Sequence, residues 1–449
     1  MNKEIKKIGI WGLGIMGHSA VSYLSAQGIA LEVFEKKELT QEQKAFLAAH
    51  QVTHTPHLEQ FLENNSCILP SPGIDLRPYA HKAGHFVAEL DLFATACTTP
   101  LIAITGSVGK TSTTQLITQA LILSGEQALM GGNIGVGCFD LINQQHQAQR
   151  IVLEVSSFQL ELCKQFAPEI AIITNLYPNH LDRHGTFEQY IKAKLTMVEH
   201  QKPGSILIAP LNSYPFFHKY SSHRTIYFFS THRPTAAEFA ELTNNEHIIF
   251  LDGKTLCHYT NGIQHIIYTF NELPELSFIE NWICTATLLY ALQKPLTILA
   301  LLAEKATLKE HRLQKVATVN GITFYNDSKS TLPVATLAAI AKLHAQPIHL
   351  LLGGISKGVN RREFIAQLKN KVKYIYCFGS ESTQLAHYCQ EFEIPCASFA
   401  TLEDTFAQIM NQAAAHETVL LSPAGASYDL FKDYQERGNR FMELVKQLS

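Results

Sequence analysis

The stretch LIAITGSVGKTSTTQLI, residues 101–117, runs from apolar residues through Gly106, Gly109 and Lys110 into a helical pattern beginning at Thr111. Such a turn sets backbone N–H groups, an ammonium and a hydroxyl around phosphates and their magnesium ion. Ile104 stands where the general P-loop has its first glycine. The motif is therefore the shorter T-G-x-x-G-K-[ST] form, which disfavours a generic GTPase. Glu154 closes the apolar run RIVLEVSS as a lone carboxylate at a strand's carboxyl end, where open α/β sheets bind nucleotide and metal. Mg²⁺ bound to nucleotide phosphates takes one or two carboxylates, so the loop gives Glu154 a task. A second run, IAIITN, delivers His180 and Asp182 into a loop, with His184 close by.

Lys194 lies in GTFEQYIKAKLTMVEHQKPG, where Thr186 and Gln189 form a capping box and a helix follows. At 100° per residue Lys194 falls among Tyr190, Ile191, Met197 and Val198, whereas Lys192 falls among Glu188, Thr196 and Glu199. An inward lysine either snorkels to water or loses its charge, because burial favours the neutral amine. A neutral amine can add carbon dioxide and become a carbamate, an anionic ligand for a cation. Near the N-terminus, Gly12, Gly14 and Gly17 make a G-x-G-x-x-G turn, with Glu35 ending the next strand where a ribose-binding acid is expected. That motif indicates a nucleotide without specifying redox chemistry. Toward the C-terminus, Asp327 and Lys329 in FYNDSKSTLP, Lys357 in LLLGGISKG, and Ser427 and Phe431 in LLSPAGASYDLF collect at strand ends. Ligands bind parallel sheets at that edge.

These residues need parallel sheets to hold them, and the chain supplies the pattern. Apolar runs (KIGIWG, ALEVFE, CILPSPG, LIAITG, RIVLEVSS, IAIITN, SILIAP, ITFYND, IHLLLGG, YIYCFG, TVLLSPAG) alternate with amphipathic stretches. Region 212–275 reads as shorter, partly antiparallel strands flanking the main sheet. With 449 residues, about three domains of about 150 residues are expected, with boundaries near 95 and 306. The expected class is α/β in three domains, 1–95, 96–305 and 306–449. Hydrophobic residues make up 46% and charged residues 17%, which suits buried sheets. Thirty-six Lys and Arg against 39 Asp and Glu leave no basic surface for nucleic acid. Nine cysteines without a C-x-x-C pair indicate neither a zinc site nor a disulfide framework, and so a reducing cytoplasm. The basic, apolar start is read as mature protein, and no apolar run is long enough to span a membrane.

TGSVGKTSTT, GGNIG, EVSSFQLE, NHLDRHGTFEQYIKAK, HRLQ, NDSKST and LSPAGASYDLFKDYQERGNRF together resemble the Mur ligase family, essentially end to end. SPGI near the N-terminus and SPAGAS near the C-terminus resemble its D-glutamate-adding branch. The resemblance implies a monomeric, cytoplasmic ligase of peptidoglycan precursor synthesis. Its substrates would be ATP, UDP-N-acetylmuramoyl-L-alanine and D-glutamate, with Mg²⁺ and a Lys194 carbamate as cofactors and an acyl phosphate as intermediate. It implies an N-terminal Rossmann-like UDP-binding domain, a central P-loop ATPase-like domain and a C-terminal Rossmann-like domain. Lys110, Glu154, His180 and Lys194 would be catalytic, with Thr111, Glu154, His180 and Lys194 around the metal. Gly106, Ser107, Val108, Gly109, Lys110, Thr111, Ser112, Asn133, Asn281, Arg312 and Asp327 would bind ATP. Ile15, Met16, Glu35, Ser71, Gly73, Asn133 and His180 would face the UDP substrate, and Lys329, Thr331, Lys357, Ser427 and Phe431 would receive D-glutamate. Glu280, Trp282, Leu332 and Asn179 depart from the usual pattern. The alternatives are a sister Mur ligase, a folylpolyglutamate-type synthase, an NAD-dependent oxidoreductase built on residues 8–35, or a nucleotide switch.

Overall fold

The computed structural model describes residues 6–274, 278–307 and 310–448, which form three sheets. In the first, β1 (Lys7–Trp11), β2 (Ala30–Phe34), β3 (Thr53–His54) and β4 (Ile68–Pro70) are all parallel, in the order β3-β2-β1-β4. The second comprises β5 (Leu101–Thr105), β6 (Ala128–Gly132), β7 (Arg150–Glu154), β8 (Ile170–Ile173), β9 (Ile206–Pro210), β10 (Thr225–Ser230), β11 (Glu246–Asp252), β12 (Thr255–Thr260) and β13 (Ile263–Thr269). Their order is β13-β12-β11-β10-β9-β8-β5-β7-β6. Every residue of β5 is buried, as expected of a strand with other strands beside it and helices above and below. The third holds β14 (Gln314–Val319), β15 (Ile322–Asn326), β16 (Ile348–Gly353), β17 (Tyr374–Phe378), β18 (Cys396–Phe399) and β19 (Thr418–Leu421), ordered β14-β15-β19-β16-β17-β18. Only its β14–β15 pair is antiparallel.

The architecture is the mixed α/β, mostly parallel one expected, and each quoted apolar run contains a strand. Region 212–275 departs from expectation in place. Its strands do not flank the main sheet but extend it, β10 and β11 parallel and β12 and β13 antiparallel at the edge. The physical reason is that β9 leaves one edge open and β10 pairs with it directly.

Two compact units result, Met1–Leu176 with Glu188–Ala306, and Tyr177–Phe187 with Thr307–Ser449. The first unit contains the first two sheets, joined where helix Ile15–Ala26 meets helix Cys138–Gln144. There the Asp140 amide donates to Ser19 Oγ at 3.0 Å, and Tyr23 stacks on Phe139 at 5.4 Å. In the second unit Ile340, Leu350, Leu352 and Ile375 belong to one apolar cluster, while Phe324, Leu351, Tyr376 and Phe441 belong to another.

Candidate active site

At the carboxyl end of the first sheet the glycine turn is closed by its neighbours. Gly12 has φ +99°, its amide donates to the Phe34 carbonyl, and a Cβ there would stand 2.6 Å from Ser71 Oγ. A Cβ on Gly17 would overlap the Gly12 carbonyl oxygen, so helix Ile15–Ala26 can approach β1 this closely only with glycine. Glu35 accepts from the Leu13 amide at 2.8 Å and from the Lys37 amide at 3.1 Å, which ties β2's end to the turn. Ser71 anchors β4 through its amide to the Trp11 carbonyl, and its hydroxyl lies 3.4 Å from the Gly12 carbonyl. Glu35, Ser71 and the glycines thus come together. Ile15 stands exposed at the helix start, Met16 is buried, and Gly73 has open space around it.

The phosphate loop bends through Gly106 (φ +153°) and Gly109 (φ +80°) into helix Lys110–Leu123. Asn175 braces it: its Oδ1 accepts from the Ser107 and Val108 amides at 3.2 and 2.9 Å, and its Nδ2 donates to the Val108 carbonyl at 3.0 Å. Thr174 donates to the same carbonyl at 2.7 Å, and Ser107 Oγ pairs with the Tyr190 hydroxyl at 2.9 Å. Asn281, buried, accepts from Thr113 Oγ1 at 3.0 Å and lies 2.6 Å from where a Gly109 Cβ would be. Thr111 and Ser112 are buried in the helix's first turn.

Lys194 faces inward as its helical phase predicts, with 1% of its surface exposed, and Lys192 is exposed. Lys194 Nζ donates to Thr105 Oγ1 at 2.9 Å and to the Gly106 carbonyl at 3.0 Å, and lies 4.7 Å from the Tyr190 ring centroid. Lys110 Nζ donates to that same Gly106 carbonyl at 2.9 Å. Burial first, and the Lys110 charge second, hold the Lys194 amine well below its ordinary value, while Glu154 opposes them. Glu154, 2% exposed, accepts from Asn133 Nδ2 at 2.9 Å through Oε1, and its Oε2 is buried with no partner. The Asn133 amide donates to the Glu154 carbonyl at 2.8 Å. Among the described residues no three His, Cys, Asp or Glu side chains group as a metal cage.

The second unit gathers the remaining expected residues at the carboxyl edge of its sheet. Lys357 Nζ donates to Thr331 Oγ1 at 3.1 Å. The buried Ser427 accepts at its carbonyl from the Leu430 and Phe431 amides. Phe431 packs on the apolar cluster, whereas Tyr434 presents its ring to Lys329, whose Nζ lies 3.7 Å from the centroid. Asp327 is buried and accepts from the Leu313 amide at 3.0 Å and Ser422 Oγ at 2.7 Å. Burial raises its carboxyl to about 6 against hydrogen bonds from Ser330 and Ser422 and the nearby Arg312. Arg312 sits between His311 (φ +68°) and Leu313 (φ +46°), a left-handed pair that non-glycine residues adopt at a cost. His180 (φ +55°) and Asp182 belong to the segment packed with this unit, where the Leu181 amide donates to the Lys357 carbonyl at 3.3 Å.

Comparison with known proteins follows this layout. Residues 6–84 match the MurD-like N-terminal domain of Mur ligases, 104–268 the Mur ligase middle domain, and 311–425 the Mur ligase glutamate ligase domain. The chain is 32% identical over 461 residues to the UDP-N-acetylmuramoylalanine--D-glutamate ligase of Koribacter versatilis (strain Ellin345), across 100% of this chain and 99% of that one. The chain belongs to the Mur ligase family. This Mur ligase is also 32% identical over 460 residues to the ligase of the same description from Desulfotalea psychrophila, across 98% and 95% of the two chains. Its fold resembles MurF from Acinetobacter baumannii at a TM-score of 0.61 and 15% identity, across 99% and 94% of the chains.

Several residues that shape the Mur ligase site carry little signal in the sequence. Asn175 and Thr174 read as the tail of a strand, yet they brace the phosphate loop. Tyr434 lies three residues past the phenylalanine that the resemblance selects. The signal of Thr174 and Asn175 is position: they are the first two residues past the end of β8, beside β5 in the same sheet.

Proposed function

We propose that this chain is an ATP-dependent amide ligase joining D-glutamate to UDP-N-acetylmuramoyl-L-alanine. The observation that carries the reading is its full-length likeness to ligases described by that activity. The geometry supports the chemistry: a glycine loop ending in Lys110, a buried Lys194 whose amine is held well below its ordinary pKa by burial and by Lys110, and a buried carboxylate oxygen on Glu154 that lacks a partner. The alanine carboxylate attacks the γ-phosphorus and ADP leaves; the D-glutamate amine then attacks the acyl carbon of the acyl phosphate, forming the amide as inorganic phosphate and a proton leave. Lys110 and the helix N-terminus balance charge on the transferring phosphoryl group, and Asn281 fixes the loop. We assign the UDP group to 1–95, ATP to 96–305 and D-glutamate to 306–449.

The unpartnered Glu154 Oε2 fits a hard cation, and Thr111 supplies a hydroxyl of the kind Mg²⁺ accepts beside nucleotide phosphates. When bound, Mg²⁺ neutralises the crowded phosphate oxygens. The buried Lys194 amine, its pKa lowered by burial and by Lys110, fits carbamylation, which would add an anionic ligand. Enzyme held in ¹³C-bicarbonate would then show a carbamate carbon resonance that Lys194→Ala lacks.

Phosphate release with ATP, Mg²⁺ and UDP-N-acetylmuramoyl-L-alanine tests the function. D-glutamate should support it, and L-glutamate and meso-diaminopimelate should not. Equal turnover with diaminopimelate would overturn the assignment.

A further inference from the structure

Two arginines in the second unit are buried more deeply than their bonds require. Arg437, in helix Tyr434–Lys446, has no exposed surface, and Arg361, opening helix Arg361–Ala366, has 5%. Arg437 Nε donates to Ser328 Oγ at 3.0 Å, and its Nη2 donates to the Ser328 carbonyl at 2.9 Å and the Gly425 carbonyl at 3.1 Å. Ser328 Oγ in turn donates to the Tyr434 carbonyl at 2.8 Å. Arg361 Nη2 donates to the Gly354 carbonyl at 2.8 Å and lies 3.4 Å from Glu381 Oε2, while Glu381 Oε1 accepts from the Ser356 amide at 2.6 Å. The Ile355 and Ala426 amides and carbonyls exchange two bonds of 2.8 Å, joining the loops after β16 and β19.

Glycine makes the arrangement possible. A Cβ on Gly425 would sit 2.5 Å from Arg361 Nη2, and one on Gly354 would sit 3.0 Å from Arg437 Nη1. Three guanidinium nitrogens, Arg361 Nε and Nη1 and Arg437 Nη1, are buried without a hydrogen-bond partner. Among the described residues Arg437's hydrogen bonds go to neutral oxygens, and the Asp429 carboxylate acts on its charge through space, without a hydrogen bond to the guanidinium. The peptides the two arginines hold lie next to the groups assigned to the amino acid: Arg437 holds Ser328, which precedes Lys329, and Gly425, two residues before Ser427, while Arg361 holds Gly354, three before Lys357.

We infer that Arg437, seconded by Arg361, is a positioning residue for the incoming amino acid. Arg437 fixes the strand-end loops bearing Lys329 and Ser427, Arg361 fixes the one bearing Lys357, and the pair lends buried positive charge that favours an acceptor with two carboxylates. The inference rests on the proposed D-glutamate reading.

Steady-state phosphate release by the full chain, varying each substrate in turn, tests it. Arg437→Met should raise KM for D-glutamate about tenfold or more while KM for ATP and for the UDP substrate stays within about twofold. Arg437→Lys, which keeps the charge, should recover part of the loss. Ser328→Ala, which removes only the Oγ acceptor, should move the D-glutamate KM in the same direction by about threefold, and it decides the matter if Arg437→Met does not fold. A rise in all three KM values together, or a D-glutamate KM unchanged in the folded variants, would overturn the inference. Wild-type protein without D-glutamate-dependent release would overturn the functional reading itself, and this inference with it.

Discussion

The Lys110 and Lys194 amines both donate to one oxygen at Gly106, and burial with the Lys110 charge holds the Lys194 amine well below its ordinary value. Lys194→Ala should lower kcat by about 10²-fold or more, on the scale of removing one charge-stabilising group. Lys192→Ala, two residues away on the exposed face, should turn over like wild type. Acetate should partly restore the alanine variant if a carbamate has been lost; normal turnover without Lys194 would remove it from the chemistry. Asp327 gives a second prediction through pH. Its carboxyl titrates at about 6 in the fold against 3.8 outside it. Between those values the folded chain therefore holds more protons than the unfolded one, and its stability falls as pH rises from about 4 to about 6. The loss is about 3 kcal/mol. Asp327→Asn can keep the Leu313 bond without the charge, so urea unfolding of the variant should lose less stability than wild type between pH 4 and pH 7.

At the scale of elements, the glycine turn beside β1 separates packing from motif. Gly17→Ala should destabilise the fold by about 1–3 kcal/mol, because its methyl group would overlap the Gly12 carbonyl oxygen. It should also weaken binding of the UDP substrate. Gly14→Ala has nothing within 4 Å of its Cβ and should melt within a degree or two of wild type. Calorimetric unfolding of the pair would distinguish them, and equal melting would show that helix and strand can move apart. How much of this the chain's pattern reveals depends on the distance between partners. Period 3.6 turns Lys194 inward, and β5, β7 and β8 are legible because buried parallel strands are unbroken apolar runs. β6 and β18 are not, since ALMGG ends in glycines and CASF is short and half polar. The partners of Lys194 come from β5 and the loop beyond it, and no local pattern announces them. Arg437 and Arg361 look like any charged helical residues until Gly354 is seen to leave room for the first and Gly425 for the second.

Across the whole molecule, the two nucleotide-type turns stand on different sheets of the first unit, one after β1 and one after β5. Lys110→Ala should therefore abolish phosphate release while titration calorimetry still records binding of UDP-N-acetylmuramoyl-L-alanine. Loss of both in a folded variant would contradict that division. The chain path has a consequence of another kind. Tyr177–Phe187 interrupts the first unit between β8 and β9 yet packs with the second, with the Leu181 amide on the Lys357 carbonyl. During synthesis this segment is made about 170 residues ahead of that carbonyl, an interval of about 10–30 s at usual elongation rates. Until then the nascent chain carries His180 on a loop whose packing partners have not been translated. A polypeptide begun at Thr307 would in turn lack a segment that packs against it, however long it is given to fold.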